Sequence, residues 1–209
     1  MKKIITAAIF AFVLLCSAPL KAGEAQVRAF ISDSGYALIE ALGCDDVEQK
    51  YQILDELFDQ RVDTDYIAKF VLGVYYNKMN DAQKARYHML FGRYIKSLYK
   101  SYPLNFKTPN IDFDIVGVRQ NGAFYDVKCM VDLPEQYQSE SLKQIGLEFR
   151  VRENADVIKL IDFKIDTISM LLTFKNKLMQ MIKDDEEEMD WFLEDFEDLT
   201  LSNEMQAKQ

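Results

Sequence analysis

Two adjacent segments, DTDYIAKFVLGVYYNKM (residues 63–79) and NDAQKARYHMLFGRYIKSLYKSY (residues 80–102), carry more apolar and aromatic surface than a small core needs. In the second segment, apolar residues recur at the i, i+3, i+4, i+7 spacing of one helix face. Because such a stripe must face an apolar surface, it packs either against ordinary core or against a bound apolar ligand. The stripe is formed by Tyr87, Leu90, Phe91, Tyr94, Ile95 and Leu98.

The rest of the first half of the chain, and the end of the chain, are also predicted to be helical. Apolar spacing predicts helices over residues 25–42 and 47–61, ahead of the two segments above. Asn80 followed by Gln83 resembles a capping box at the start of the fourth helix. Two more helices follow the last strand. Their apolar stripes consist of Ile168, Leu171, Leu172, Leu178, Met179 and Ile182, and of Met189, Phe192, Leu193, Phe196 and Leu199.

Between Pro103 and Pro109 the helical pattern ends, and the apolar period changes from about 3.6 residues to 2. The alternation predicts an antiparallel sheet with one apolar face, whose first hairpin turns at Asn121-Gly122. The predicted fold is α+β: a twisted, mostly antiparallel four-stranded sheet, covered on its apolar face by about six helices. The strands are predicted over residues 111–118, 123–133, 145–152 and 157–165, and their apolar face is formed by Val127, Cys129, Val131, Leu147, Phe149, Val151, Ile161, Phe163 and Ile165.

The N-terminus has the three zones of a secretory signal sequence. Lys2 and Lys3 precede an apolar run over residues 4–15, and small residues lead to Ala22, after which we expect cleavage. The run is too short to span a membrane, which takes about 20 residues, so we expect export by the Sec route. The predicted parts are a signal peptide (1–22), one domain (23–201) with a helical part (23–103), a sheet (110–166) and C-terminal helices (167–201), and a loose tail (202–209).

Acidic residues outnumber basic ones, with a formal net charge of −9. Removal of residues 1–22 takes away three lysines and no acid, which changes the charge from −9 to −12. A chain with this charge and no long basic stripe repels nucleic acid and anionic membrane surfaces. We therefore expect no nucleic-acid partner, and a basic patch on a partner protein is the more natural complement.

The sequence lacks motifs for catalysis or metal binding. Its single histidine, His88, lies on the polar flank of a predicted helix, where we expect it to be solvated. One histidine makes a catalytic triad or a zinc site hard to assemble. The acidic run over residues 184–188 lacks the alternating ligands and the glycine of a calcium loop. The sequence therefore predicts no enzyme, no metal and no cofactor, and it leaves Cys44 and Cys129 as either a disulfide or free thiols.

Several segments resemble the MlaC (toluene-tolerance) family of periplasmic phospholipid-binding proteins. The resemblance extends over most of the mature chain, from about Ala25 to Leu199, in the order of elements as well as in the motifs. The segments are IAKFVLGVYY (67–76), NDAQKARYHMLFGRYIKSLY (80–99) and IKLIDFKIDTISMLLTFKNKL (158–178), and the matching positions include Phe70, Leu72, Gly73, Tyr99, Lys159, Asp162 and Ser169.

The resemblance implies a periplasmic carrier that hands a phospholipid from one membrane complex to another and so maintains outer-membrane lipid asymmetry. Its implied partners are the phospholipid cargo, an inner-membrane ABC transporter complex and an outer-membrane lipoprotein complex, and we expect a monomer. The alternatives are a periplasmic protein-binding module or chaperone without bound lipid, and an enzyme built on a similar sheet.

The apolar sheet face and the helix stripes are predicted to enclose an apolar cavity for the acyl chains, with the head group outside. The polar segment over residues 134–143 borders the predicted mouth. Each residue predicted to line the cavity could equally belong to plain core. The predicted lipid-binding residues are Tyr75, Leu90, Phe91, Tyr94, Leu98, Val127, Val131, Leu147, Phe149, Val151, Phe163, Ile165, Ile168 and Leu172.

Overall fold

The structure is a computed structural model that describes residues 22–101, 111–135, 138–140, 142–155 and 157–207. The predicted signal sequence, apart from Ala22, and the connector with Pro103 and Pro109 lie outside the described residues. Within the described residues the chain combines helices with an antiparallel sheet, so the predicted α+β class is confirmed.

Six α-helices form within the described residues, as predicted. Among these residues, no helix has both the length and the apolar character to cross a membrane. The last helix continues to Gln206, into the segment predicted to be a loose tail. The helices are α1 (Ala22–Leu42), α2 (Val47–Arg61), α3 (Thr64–Leu72), α4 (Asp81–Lys100), α5 (Met170–Asp184) and α6 (Met189–Gln206), with a 3₁₀ turn (Gly73–Lys78) after α3.

Polar side chains fix where several helices begin. The Asn80 side chain accepts a hydrogen bond from the Gln83 backbone N–H, and the Gln83 side chain accepts one from the Asn80 N–H. The predicted capping box is therefore confirmed. At the start of α3, the Asp63 carboxylate accepts a hydrogen bond from the Tyr66 N–H at 3.1 Å. Such caps satisfy backbone N–H groups that have no partner inside the helix.

Five strands, counted within the same residues, form one antiparallel sheet in the order β1-β2-β3-β4-β5. The predicted hairpin between the first two strands is confirmed, and Gly122 adopts the positive φ of 62° that its turn requires. The predicted count of four strands was one short, because β5 has two residues and shows no alternation of its own. The strands are β1 (Phe113–Asn121), β2 (Phe124–Asp132), β3 (Gln144–Asn154), β4 (Val157–Ile165) and β5 (Ile168–Ser169).

The strand register gives the sheet one apolar face, with one interruption in β4. Phe149 in β3 pairs with Phe163 in β4, so these two side chains lie on the same face. Further along, Val151 pairs with Leu160, and Ile161 is left over as a bulge residue. The prediction that Ile161 continues the row of Phe163 was therefore wrong, because a bulge breaks the strict alternation of a strand.

The buried apolar side chains form two separate clusters. The first, here called the helical core, joins α3, the 3₁₀ turn, α4, α5 and α6. The second, the sheet core, joins the apolar sheet face to α1. The prediction that about six helices cover this face was wrong, because the stripes of α3 to α6 pack against one another. The buried residues of the sheet core are Val27, Ile31, Tyr125, Val127, Cys129 and Val151.

Candidate functional site

Coverage of the apolar sheet face changes from one side of the sheet to the other. Cys129 in β2, Leu147 in β3, Ile165 in β4 and Ile168 in β5 form one row of paired residues. Cys129 is 1% exposed, whereas Ile165 is 43% and Ile168 is 63% exposed. Along this row the apolar face is therefore buried at β2 and uncovered at β4 and β5.

We call the uncovered part of this surface the open apolar face. Its side chains are half-buried or exposed, although their neighbours in the sheet core are fully buried. A contiguous exposed apolar patch on a protein surface commonly marks a binding site. The open apolar face consists of Val131, Ile145, Leu147, Phe163, Ile165 and Ile168.

Close packing holds α1 over the buried part of the face. Val27 and Ile31 are both buried in the sheet core. One turn further along α1, a Cβ atom at Gly35 would clash with the ring of Phe113 in β1. The ring of Tyr36 packs on the same Phe113 ring, with centroids 5.1 Å apart. Because the approach leaves no room for a side chain at Gly35, glycine sets the height of α1 above the sheet.

The opposite face of the sheet holds a network of ion pairs. Asp126 in β2 accepts hydrogen bonds from Arg150 at 2.6 and 3.1 Å and from Arg119 at 3.0 Å. The Arg150 hydrogen bonds, reinforced by Arg119, hold the pKa of the buried Asp126 carboxyl below its usual range, although burial opposes this. The ionised carboxylate therefore ties β1, β2 and β3 together from the polar side.

The junction between β4 and α5 is built around Asp162. Its Oδ2 accepts a hydrogen bond from Ser169 Oγ at 2.7 Å, and its Oδ1 accepts one from the Leu171 N–H at 2.9 Å. Ser169 Oγ in turn accepts a hydrogen bond from the Leu172 N–H at 3.1 Å. Asp162 is buried, and its carboxylate orients the start of α5. In the sequence, Asp162 and Ser169 stood out only as positions that match the family resemblance described above.

The structure brings the predicted sheet residues together on one face. Val127 and Val151 are buried in the sheet core, and Phe149 packs against it. Leu172, in the first turn of α5, is 51% exposed and follows shortly after β5. The other predicted sheet residues belong to the open apolar face: Val131, Leu147, Phe163, Ile165 and Ile168.

The predicted helix residues lie in the helical core instead. Four of them are buried there, and Leu98 packs against the cluster. Tyr94, for example, packs its ring on Phe196 of α6 with centroids 5.2 Å apart. The predicted sheet and helix residues therefore lie in separate cores, and a cavity shared by both stays a prediction. The four buried residues are Tyr75, Leu90, Phe91 and Tyr94.

Two surface depressions flank the sheet. Neither is lined by the residues predicted to bind lipid, but the second includes part of the polar segment predicted to border the mouth, residues 134–143. The first has a volume of about 590 Å³ and is lined by Gln26, Phe30, Gln60, Arg61, Val157, Ile158 and Lys159. The second has a volume of about 690 Å³ and is lined by Met130, Asp132, Gln138, Glu140, Lys143 and Gln144.

The His88 side chain is 23% exposed and hydrogen-bonds Tyr76, so the prediction of a solvated histidine was wrong. Its Nδ1 lies 3.1 Å from Asp65 Oδ1, and its Nε2 lies 2.9 Å from Tyr76 Oη. The partner of Nε2 is the phenol of Tyr76, whereas an acyl-transfer triad has a serine or cysteine nucleophile at that place. Within the ranges that the structure describes, no three His, Cys, Asp or Glu side chains are grouped to hold a metal ion.

Both cysteines of the described chain, Cys44 and Cys129, are free thiols. Burial raises the pKa of Cys129 to about 11, while the charge of Arg28 opposes the shift. A thiol that stays protonated behaves as a small apolar side chain. Cys129 therefore adds apolar surface to the sheet core.

Comparisons with known proteins identify relatives of this chain. A family model described as MlaC protein matches residues 40–198. Among solved structures, the chain is similar to the phospholipid-binding protein from Ralstonia solanacearum, which was solved in complex with a phospholipid. The two share a TM-score of 0.69 and 14% sequence identity, over 84% of this chain and 97% of the other. At this identity the similarity shows a shared fold, and no curated protein sequence matches the chain.

Proposed function

Because the chain belongs to the MlaC family, we propose that it is a periplasmic phospholipid carrier. In this role it receives a phospholipid from one membrane complex and delivers it to another, between the inner and the outer membrane. The exchange maintains outer-membrane lipid asymmetry and needs no bond to be made or broken. The secretory signal predicted at the N-terminus supports the location.

A phospholipid in water requires a protein that covers its acyl chains. A two-chain lipid exposes on the order of 30 methylenes, which at about 0.8 kcal/mol each amounts to roughly 24 kcal/mol. Scattered surface residues cannot offset a cost of this size. A carrier therefore needs a continuous apolar surface that can close around the chains.

The open apolar face is the observation that carries the proposal. Three strands present a paired row, Leu147, Ile165 and Ile168, whose exposure rises toward the sheet edge. Phe163 and Val131 extend this surface on either side of the row. Acyl chains placed here contact the sheet and adjoin the sheet core beneath α1. The polar segment over residues 134–143, next to the ends of β2 and β3, leaves a polar border for the head group.

The side chains of the site support binding more than catalysis. The open apolar face consists entirely of hydrocarbon side chains, which can neither donate nor accept a proton. The ion pairs around Asp126 lie on the opposite face of the sheet. We therefore assign the bound phospholipid the role of cargo, with no cofactor and no catalytic residue.

Native mass spectrometry of the mature protein, purified without detergent and followed by lipid extraction, tests the proposal. We expect a mass excess of one or two phospholipids that is lost on denaturation. A bare polypeptide mass that stays bare after incubation with phospholipid vesicles would contradict lipid carriage. That outcome would favour the protein-binding alternative.

A pair of matched variants locates the cargo. Ile165→Glu places a charge on the open apolar face, whereas Val116→Glu places one on an exposed valine of β1. Ile165 is 43% and Val116 is 59% exposed, so neither change buries a charge in the core. We expect Ile165→Glu to lose most of the bound lipid and Val116→Glu to keep it. Equal lipid content in the two variants would show that the open apolar face is not part of the lipid-binding site.

A further inference from the structure

Exposed apolar side chains continue from the open apolar face onto α5 and α3. Leu172 in the first turn of α5 is 51% exposed, and Lys175 lies one helical turn further on the same side. Lys175 Nζ lies 4.7 Å from the centroid of the Phe70 ring, which joins α5 to α3. Phe70 is 36% exposed and Val74, just past the end of α3, is 70% exposed.

The chain turns sharply at this point, which makes Val74 protrude. α3 ends at Leu72, and Gly73 adopts a positive φ of 54°. A Cβ atom at Gly73 would meet nothing within 4 Å, so open space lies beside Gly73. Val74, with its 70% exposure, therefore forms an apolar tip at this turn.

Three lysines lie over the rings of Phe70 and Tyr76, which are close to this tip in the chain. Lys69 and Lys84 lie 5.9 and 5.5 Å from the centroid of the Tyr76 ring, and Lys175 lies over Phe70. Within the described residues none of these three lysines has a carboxylate within 4.0 Å. Several other cations of the helical region are paired, as Arg93 is with Glu204 at 2.8 Å, whereas Lys177 in α5 lies over the Tyr94 ring.

Few acidic side chains lie near the three lysines. Asp65 is exposed one turn before Lys69 in α3, and Glu187 is paired with Lys78 at 2.8 Å. Asp81 is exposed one turn before Lys84 in α4. In a chain with a formal net charge of −9, this is a local excess of positive charge around exposed apolar side chains.

We propose that this surface docks the protein on an anionic lipid bilayer. We call it the lysine-flanked strip, formed by Phe70, Val74 and Leu172 with Lys69, Lys84 and Lys175. Lysines are attracted to anionic head groups, and exposed aromatic and aliphatic side chains enter the boundary with the acyl chains. A protein partner would need a pocket shaped for the protruding valine, whereas a bilayer accepts such a tip without one. The overall negative charge keeps the rest of the surface away from the membrane, so docking has one orientation.

Docking through the strip would turn the open apolar face toward the membrane. Leu172 and Ile168 are close in sequence and both exposed, so the strip and the open apolar face adjoin at the start of α5. This consequence for lipid transfer rests on the proposed function. The attraction of the strip to anionic lipid does not depend on it.

Vesicle flotation with the mature protein tests the proposal. The probes are vesicles of phosphatidylcholine alone and vesicles that also contain phosphatidylglycerol. We expect binding to the phosphatidylglycerol vesicles that weakens as salt is raised. The triple variant Lys69→Gln, Lys84→Gln and Lys175→Gln should bind at least about tenfold more weakly. Val74→Ser should reduce binding by a smaller factor, because it removes the apolar tip and leaves the charge.

A second triple variant controls for charge. Lys128→Gln, Lys177→Gln and Lys183→Gln change the net charge by the same amount at exposed positions outside the strip. Equal losses in the two triple variants, or equal wild-type binding to both kinds of vesicle, would overturn the proposal. Binding to an acidic polypeptide such as polyglutamate, without binding to vesicles, would assign the strip to a protein instead.

Native mass spectrometry of the same preparations separates the two proposals. A protein that floats with anionic vesicles but carries no lipid would refute the carrier function and retain the docking surface. A protein that carries lipid but does not float would refute docking and retain the carrier function.

Discussion

The helical core and the sheet core differ in how completely their apolar side chains are covered. In the helical core, four helices close around a cluster of stacked rings, and Phe192 and Phe196 are 0% exposed. In the sheet core, α1 covers one part of an apolar face and leaves Ile165 and Ile168 exposed. A fold that can seal one cluster so fully has no physical need to leave the other open. The uncovered surface is therefore best explained by a ligand or partner that covers it.

The largest contrast in stability is expected from the helical core. Phe196 packs against Tyr87, Tyr94 and Phe192 at centroid distances of 5.2 to 6.1 Å. Phe196→Ala should reduce the free energy of unfolding by about 3–5 kcal/mol, because a fully buried ring is replaced by a cavity. Urea denaturation measures the loss. Trp191→Ala in the same helix, at a side chain 54% exposed, should cost far less, and equal losses would contradict a sealed helical core.

The sheet is expected to depend on its polar face as well as on apolar packing. Asp126→Asn should lower the free energy of unfolding by about 1–3 kcal/mol at neutral pH, because it weakens charged hydrogen bonds to Arg150 and Arg119. The folded-state pKa of Asp126 is lowered, so its stabilisation is present above the usual pKa of about 4 and is lost as pH falls through the lower folded value. Urea denaturation from neutral to acidic pH should show wild type and variant converging. A difference that stays constant over this range would contradict an ionised, paired Asp126.

A smaller effect is expected at the contact between α1 and the sheet. Gly35→Leu should lower the free energy of unfolding by about 1 kcal/mol, since the clash with Phe113 outweighs the gain in helix propensity. Gly92→Leu in α4 is the matched control, because a Cβ atom there meets nothing within 4 Å. The control should be neutral or slightly stabilising. The rate at which iodoacetamide labels Cys129 should rise in the Gly35 variant alone, and unchanged labelling would show that α1 does not cover the sheet core through this contact.

The smallest effect is expected on the open apolar face. Ile165→Ala should change the free energy of unfolding of the lipid-free protein by about 0.5 kcal/mol, because the side chain is already 43% exposed. The same variant in the lipid-bound protein should lose more, because bound lipid stabilises only the folded state. Thermal unfolding before and after extraction of the lipid compares the two. An equal loss with and without lipid would place the acyl chains away from Ile165.

The structural features that depend on a local sequence pattern were predicted correctly. Helix periodicity, the Asn80–Gln83 capping box and the turn at Gly122 each result from contacts between near neighbours, and each was confirmed. The two-residue β5 and the bulge at Ile161 were missed, because neither leaves an alternating pattern.

Placement of the elements was harder to predict than the elements themselves. An apolar stripe shows that a helix packs on something apolar but not which surface it packs on. From the sequence, the apolar stripes of α4 and α6 could have lined a lipid cavity or packed against each other. In the structure they pack against each other. The residues of the sheet face, except Ile161 at the bulge, were identified as a group because strand pairing keeps their alternation in register.

Photo-crosslinking from single positions is the most direct test of where the acyl chains bind. A benzophenone amino acid would replace Ile165 on the open apolar face, Leu98 at the edge of the helical core, or Val116 as an exposed control. After irradiation of the lipid-bound protein, mass spectrometry detects covalently attached lipid. We expect attachment from position 165 and none from position 116. Attachment from position 98 without attachment from position 165 would contradict an acyl-chain site on the sheet and place it among the helices.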